Sequence, residues 1–381
     1  MAMRPAQVKD VMDIMEDWAP AWTAESWDRV GLACGHPGGQ ARRVMVALEL
    51  SDHLLATALK QGQQMLLLHH PPIFKPLTDL RSDRLHANRL IQAAAADLAI
   101  FAAHTNLDSA PGGVNDALAA RLGLTELKPL VPAGADGLAK LTTFVPADHA
   151  EAVAQALFAA GAGRIGAYRE CAFESPGQGS FLAPEDGRPF LGRPGRRERV
   201  AEIRLETVAP LARAERVLAA LAAAHPYEQP AADLYPLRNP PAGFGLGRVG
   251  RLARPEPGAA FAARAARELG SAAPAMAGLL PEMVARVAVV SGAGGEMLGE
   301  AAAAGAQVLV TGEARHHAAQ EALDLGICLL TLGHFETENV MVGPWAERLA
   351  SALTRAGLDA QVTPCIESAR PWRAVAVGKE D

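Results

Sequence analysis

Six short apolar runs place the strongest constraint on how this chain folds. Residues 43–50 (RVMVALEL), 64–68 (QMLLL), 98–103 (LAIFAA), 286–291 (RVAVVS), 306–311 (AQVLVT) and 327–332 (ICLLTL) carry strand signals. Helix-like runs lie between many of them, at 52–61, 84–97, 113–122, 295–305 and 314–325. Residues 5–19 read as an amphipathic helix with Val8, Met12 and Met15 on one face. Short apolar strands alternating with helices predict an α/β fold built around a largely buried sheet. The pattern occupies both ends of the chain.

The middle follows another order. Residues 138–145 and 199–208 read as strands, 148–160 and 210–224 as helices, and the Gly/Pro/Arg-rich stretch 175–198 as hairpin and loop. Strand, helix, strand, strand, helix, strand fits an α+β ferredoxin-like module. The expected organisation is therefore a two-part α/β domain formed by residues 1–134 and 243–381, with residues 135–242 inserted. Pro-rich segments near 130–134 and 239–243 suit the crossings. A length of 381 residues, half of them hydrophobic, accommodates two or three domains with substantial cores.

Charge and cysteine usage exclude several classes. A net charge of -6 argues against a nucleic-acid binder, which more often carries a basic stripe. Cys34, Cys171, Cys328 and Cys365 are scattered, with no CxxC pair, so a zinc ribbon or disulfide framework is not expected. Lys9, Asp10, Asp13, Glu16 and Asp17 interrupt the start of the chain, which lacks the apolar core of a signal peptide. No run is long enough to span a membrane. The expectation is a soluble cytoplasmic protein.

Three strands end in metal-ligand residue types. QMLLL runs into His69-His70-Pro71-Pro72, LAIFAA into His104-Thr105-Asn106-Leu107-Asp108, and ICLLTL into Gly333-His334-Phe335-Glu336-Thr337-Glu338. Ligands in open α/β sheets bind beyond the carboxyl ends of strands, so these turns can converge on one crevice. Imidazole and carboxylate together suit Zn, Mn, Fe, Co or Ni better than Ca or Mg. His334 and Glu338 share a face if a helix starts there. Adjacent imidazoles at 69 and 70 diverge in extended chain, which suits two neighbouring ions better than one. A lone histidine at a strand end is usually a polar turn residue; three such turns favour the metal reading.

The segments LLLHHPPIF, AAHTNLDSAPGGVND, VLVTGEARHHAAQEA and LGHFETE closely resemble the Nif-three-like family of dinuclear metal-centre proteins. WDRVGLACG and HPYEQPAADLYPL are also similar to that family, so the resemblance covers nearly the whole chain. Some members are named as homologs of GTP cyclohydrolase, second type. The resemblance implies two divalent metal ions per subunit, held by His69, His70, Asp108, His334 and Glu338. His104 would sit beside them as a proton carrier or supporting partner. It also implies a ring-like homo-oligomer, often a hexamer. Three positions depart from the family: Arg29 stands where Asn is common, and Glu49 and Glu313 where Asp is common.

The functional expectation is a metal-dependent hydrolase acting on a nucleotide or other phosphorylated small molecule, with His104 moving the proton. No segment reads as a guanine pocket. The alternative is a non-enzymatic protein of metal storage, delivery or regulation. Two further motifs stay open. Residues 291–295 (SGAGG), between a strand and a helix, read equally as an anion cradle or a tight turn. His317, of the pair His316-His317, either approaches the site or is solvated. Gly245 to Gly250 has G-x-G-x-x-G spacing without a preceding strand, so it reads as a turn or crossing rather than a dinucleotide site. His225 in HPYEQP reads as structural or interface-forming.

Overall fold

The apolar runs do form buried strands, but they divide between two sheets rather than sharing one. In the computed structural model, which describes residues 3–133, 137–165, 168–238, 243–366 and Trp372, the strands Arg43–Ala47, Met65–Leu68 and Ala99–Ala102 belong to a five-stranded sheet. Gln361–Pro364 pairs parallel on one side of them and Gly31–Cys34 antiparallel on the other. The strands Met283–Val290, Val308–Thr311 and Cys328–Thr331 run parallel in a six-stranded sheet. Antiparallel strands complete it: Ala275–Ala277 at one edge, then Gly245–Pro257 and Leu124–Pro132 at the other.

Helices cover both faces of each sheet, which is why these strands lack a polar side. In the five-stranded sheet, Val44, Val46, Met65, Leu67 and Phe101 face the helices Val8–Trp18 and Val342–Arg355. Met45, Ala47, Leu66, Leu68 and Ile100 face Asp52–Lys60 and Leu85–Ala95 on the other side. In the six-stranded sheet, Val287, Val289, Val308 and Val310 pack with Phe261, Ala265 and Leu269 of helix Gly258–Leu269. Val290, Leu309 and Leu329 pack with Leu298, Ala301, Ala318 and Ala322.

Chain contacts separate two units, Met1–Pro132 with Gly243–Asp381, and Ala133–Ala242. The smaller unit has four antiparallel strands in the order Ala232–Pro236, Leu138–Pro146, Arg197–Pro210, Ala172–Leu182. Its helices Ala150–Ala159 and Ala214–Ala224 enclose a core with Leu141, Val145 and Leu205. Residues 134–136 and 239–242, within the expected crossings, lie outside the described residues.

One local reading is given its bounds and another is corrected. The eleven-residue strand Ala172–Leu182 pairs antiparallel with Arg197–Pro210, which is the hairpin expected within 175–198. It lies at the sheet edge, where Pro176 needs no ladder partner for its missing N–H. Gly245–Gly250, expected as a turn or crossing, instead begins the strand Gly245–Pro257. Glycine hides this strand, because Gly247 takes φ +62° and a Cβ there would lie 3.0 Å from the Val289 carbonyl oxygen.

Within that strand Arg248 is 2% exposed. Its Nε donates to Asp116 at 2.7 Å, and its terminal nitrogens donate to the carbonyls of Gly245, Gly247 and Ala110. The guanidinium therefore ties the six-stranded sheet to the segment that follows Asp108. Removing one partner of such a buried network leaves the others unsatisfied. Arg248→Met should lower unfolding free energy by about 3 kcal/mol, measured by denaturant titration. A loss within the ~0.5 kcal/mol typical of surface changes would contradict this role.

Candidate metal centre

The register of the strands brings their carboxyl ends level. Leu68 pairs with Ala102, so His69 and Ala103 emerge side by side. Val290, Thr311 and Thr331 are in register in the other sheet, so Ser291, Gly312 and Leu332 emerge together. The site thus joins the ends of two sheets. Short helices then aim the ligand types: Thr105–Ser109 carries Asp108, and His334–Glu338 places its two end residues one turn apart.

Each imidazole has its Nδ1 beside an oxygen outside the cluster. His69 Nδ1 donates to the Ala103 carbonyl at 3.0 Å, and His104 Nδ1 lies 2.9 Å from Asp28 Oδ1. His70 Nδ1 faces Glu49 at 3.8 Å, and His334 Nδ1 faces Glu313 at 3.4 Å. Nε2 is left for the interior. His70 Nε2 meets Glu338 Oε2 at 3.0 Å, and His334 Nε2 meets Glu338 Oε1 at 3.1 Å. His69 Nε2 lies 3.7 Å from both Asp108 Oδ1 and Glu338 Oε1, and it is buried with no hydrogen-bond partner among the described residues. Outer partners that fix the tautomer are typical of metal-ligating histidines.

Among the described residues, two groups could hold a metal ion: His69, His70 and His104, and His70, His334 and Glu338, with His70 common to both. Asp108 faces His69 and is held by the Ser291 hydroxyl, which donates to it at 3.0 Å. The donor set of imidazole nitrogen and carboxylate oxygen fits a borderline divalent metal. Gly292 keeps the space open, since a Cβ there would collide with Glu338 Oε1 and lie 3.2 Å from His334 Nε2.

The electrostatics report an excess of negative charge around these rings. Burial opposes the charge on His70, but Glu338 and Glu49 outweigh it and push its pKa up to about 10. The hydrogen bond with Glu338 pushes His334 up to about 9, against burial. Burial opposes the Glu338 charge too, yet the surrounding histidines hold that carboxyl well below the usual range. Burial raises Asp108.

Several features escape a reading of the sequence. Asp28 is buried and accepts from His104, from the Thr105 N–H and from the Thr105 hydroxyl. These bonds outweigh burial and hold its carboxyl well below the ordinary range. Asn115 joins two turns: its amide donates to the Asp108 carbonyl and its oxygen accepts from the Ser291 N–H. Glu49 and Glu313, noted only as departures, face the outer nitrogens of His70 and His334.

The loop 291–295 is a tight turn tied into the fold by three of its five N–H groups. Its N–H groups at 291, 292 and 294 already donate to Asn115, Thr337 and Thr311. His317 is exposed, beside His316, and belongs to neither metal-type group. His225 is structural within the smaller unit, accepting from the Tyr227 N–H and bonding the Phe144 carbonyl.

A family model for Duf34/NIF3 (NGG1p interacting factor 3) matches residues 6–370. The chain belongs to this family. A Mycobacterium tuberculosis relative named "GTP cyclohydrolase 1 type 2 homolog" is 40% identical over 373 residues, covering 96% of each chain. A Halalkalibacterium halodurans relative of the same name is 36% identical over 360 residues, covering 94% of this chain and 96% of its own. The crystal structure of a Bacillus cereus protein related to NIF3 has a TM-score of 0.82 at 34% identity, covering 98% of this chain and all of that one. No helix among the described residues is long and apolar enough to cross a membrane.

The raised histidine pKa values set a pH dependence for the metal-free NIF3-family chain. A group whose pKa is raised on folding stabilises fully below its unfolded value, and that contribution fades as pH rises through the folded value. Metal-free protein should therefore lose thermal stability from pH 6.5 towards pKa values of about 9 and 10 for His334 and His70. A bound divalent ion replaces the protons and should flatten that slope. Equal slopes with metal and with chelator, in thermal melts across this range, would contradict the assignment.

Proposed function

We propose that this chain is a dinuclear divalent-metal hydrolase acting on a nucleotide or another phosphorylated small molecule. His69, His70, Asp108, His334 and Glu338 would hold the ions, and His104 would carry the proton. The observation that carries the reading is the Asp28–His104 pair beside the buried histidine–carboxylate cluster. The same Asp28 contact also suits a metal-ligating histidine, so the metal content of a His104 variant decides between the two roles.

Two divalent ions at this place would supply Lewis acidity and hydroxide near neutral pH. The chain supplies the rest. Asp28 fixes His104 Nδ1 and leaves Nε2 to exchange a proton with the reacting group. Ser291 orients Asp108, while Glu49 and Glu313 lie beside the outer nitrogens of His70 and His334. The names of the similar Mycobacterium and Halalkalibacterium proteins support a nucleotide as substrate. The strand order of the smaller unit supports reading it as a ferredoxin-like insert.

Metal-loaded protein screened against nucleotides and phosphorylated metabolites should turn over at least one of them. His104→Gln should keep its metal, measured by elemental analysis, and lose about 100-fold or more in kcat. Full activity in that variant would remove His104 from the reaction. Absence of turnover with every compound would leave metal storage, delivery or regulation as the better account.

A further inference from the structure

Beside the metal-type cluster lies a pair of exposed aromatic rings that neither sheet nor core requires. Trp27 is 53% exposed and Phe74 is 50% exposed. Their ring centroids are 5.7 Å apart, and both stand edge-on to His104, at 6.1 and 6.5 Å. Large apolar rings left in water at the mouth of a polar site are a binding signature rather than a packing one. Trp27 adjoins the buried Asp28, and Phe74 lies four residues beyond His70. The same turns that hold the imidazoles therefore present the rings.

The geometry limits what fits. The rings are inclined at 56°. A ring sandwiched between them would need about 7 Å, two van der Waals contacts of ~3.5 Å. A ligand ring must therefore lie on their outer faces, with its attached group reaching His104 and the cluster. Cations neighbour the rings in the sequence. Arg29 follows Trp27 by two positions and Lys75 follows Phe74 directly; both are exposed, and neither side chain has an ion pair or hydrogen bond among the described residues. In the loop 291–295 the N–H groups at 291, 292 and 294 are taken and are not offered to an anion.

We infer that Trp27 and Phe74 form a platform for the base of a nucleotide, and that Arg29 and Lys75 meet its phosphate. The inference deepens the hydrolase reading and rests on it for the site's identity, but its test reads binding without turnover. Base–aromatic stacking is insensitive to which base is present, so the platform selects a planar ring rather than one nucleobase. Arg29, placed where the family resemblance has Asn, makes the phosphate contact a trait of this chain.

The test uses metal-loaded, full-length protein and three probes: GMP, guanosine and ribose 5-phosphate. Binding is followed by calorimetry and by the Trp27 contribution to fluorescence, taken as wild type minus Trp27→Leu. GMP should bind about tenfold or more tighter than ribose 5-phosphate, which has the phosphate without the ring. Trp27→Leu and Phe74→Leu, with metal content intact, should bring GMP down to the ribose 5-phosphate level. Arg29→Asn should narrow the gap between GMP and guanosine. Ribose 5-phosphate binding as tightly as GMP would overturn the inference, as would Leu variants that hold metal and bind GMP normally. So would Trp27 emission that follows protein concentration and ignores GMP, which marks the rings as a contact between copies. Tight GMP binding together with no turnover of any compound in the screen would refute the hydrolase reading and leave the platform standing.

Discussion

Glu338 is a buried carboxylate with a histidine on each oxygen, and most of the larger unit's arrangement serves that contact. His334 meets Oε1, His70 meets Oε2, and His69 Nε2 stands 3.7 Å away with nothing else to bond. Burying charge is tolerated only where it is neutralised and hydrogen-bonded. Asp108, also at this place, adds a second carboxylate. The cluster therefore demands cations, either protons on the histidines or metal ions. The raised His70 and His334 pKa values express that demand in the metal-free chain.

Close approach of backbones makes the contact possible. Gly312 is required where three turns meet, because a Cβ there would sit 2.7 Å from the His334 Cα and 2.5 Å from the Gly292 carbonyl oxygen. Thr337 closes the same corner, accepting from the Gly292 N–H and donating to carbonyls of its own helix. Asn115 and Arg248 tie the Asp108 turn to the other sheet. The site thus belongs to a joint between two sheets, each made rigid by helices on both faces. Ligands on the ends of rigid elements hold their geometry better than ligands on free loops.

Sequence periodicity was enough to find the six buried strands and the turns that end them, because buried parallel strands leave an unbroken apolar signature. His69, His70, His334 and Glu338 are legible for the same reason: they follow such strands at once. The division into two sheets is not legible. Pairing such as Leu68 with Ala102 is non-local, and nothing in either run names its neighbour. Gly245–Pro257 was hidden because glycines that permit close packing also imitate a turn motif. Asp28 was missed because its partner, His104, is 76 residues away. The loop 291–295 was ambiguous because a free N–H and one bonded to a distant Asn115, Thr311 or Thr337 look identical in sequence.

The central claim is that the inward Nε2 atoms and two carboxylates form a site for two divalent ions. Anomalous diffraction at the metal absorption edge, from crystals of metal-loaded protein, tests it most directly. The account predicts two peaks about 3.5–4 Å apart, each about 2.0–2.2 Å from histidine nitrogens of the cluster. One peak bound only at the surface, or none near His69 and Glu338, would contradict it.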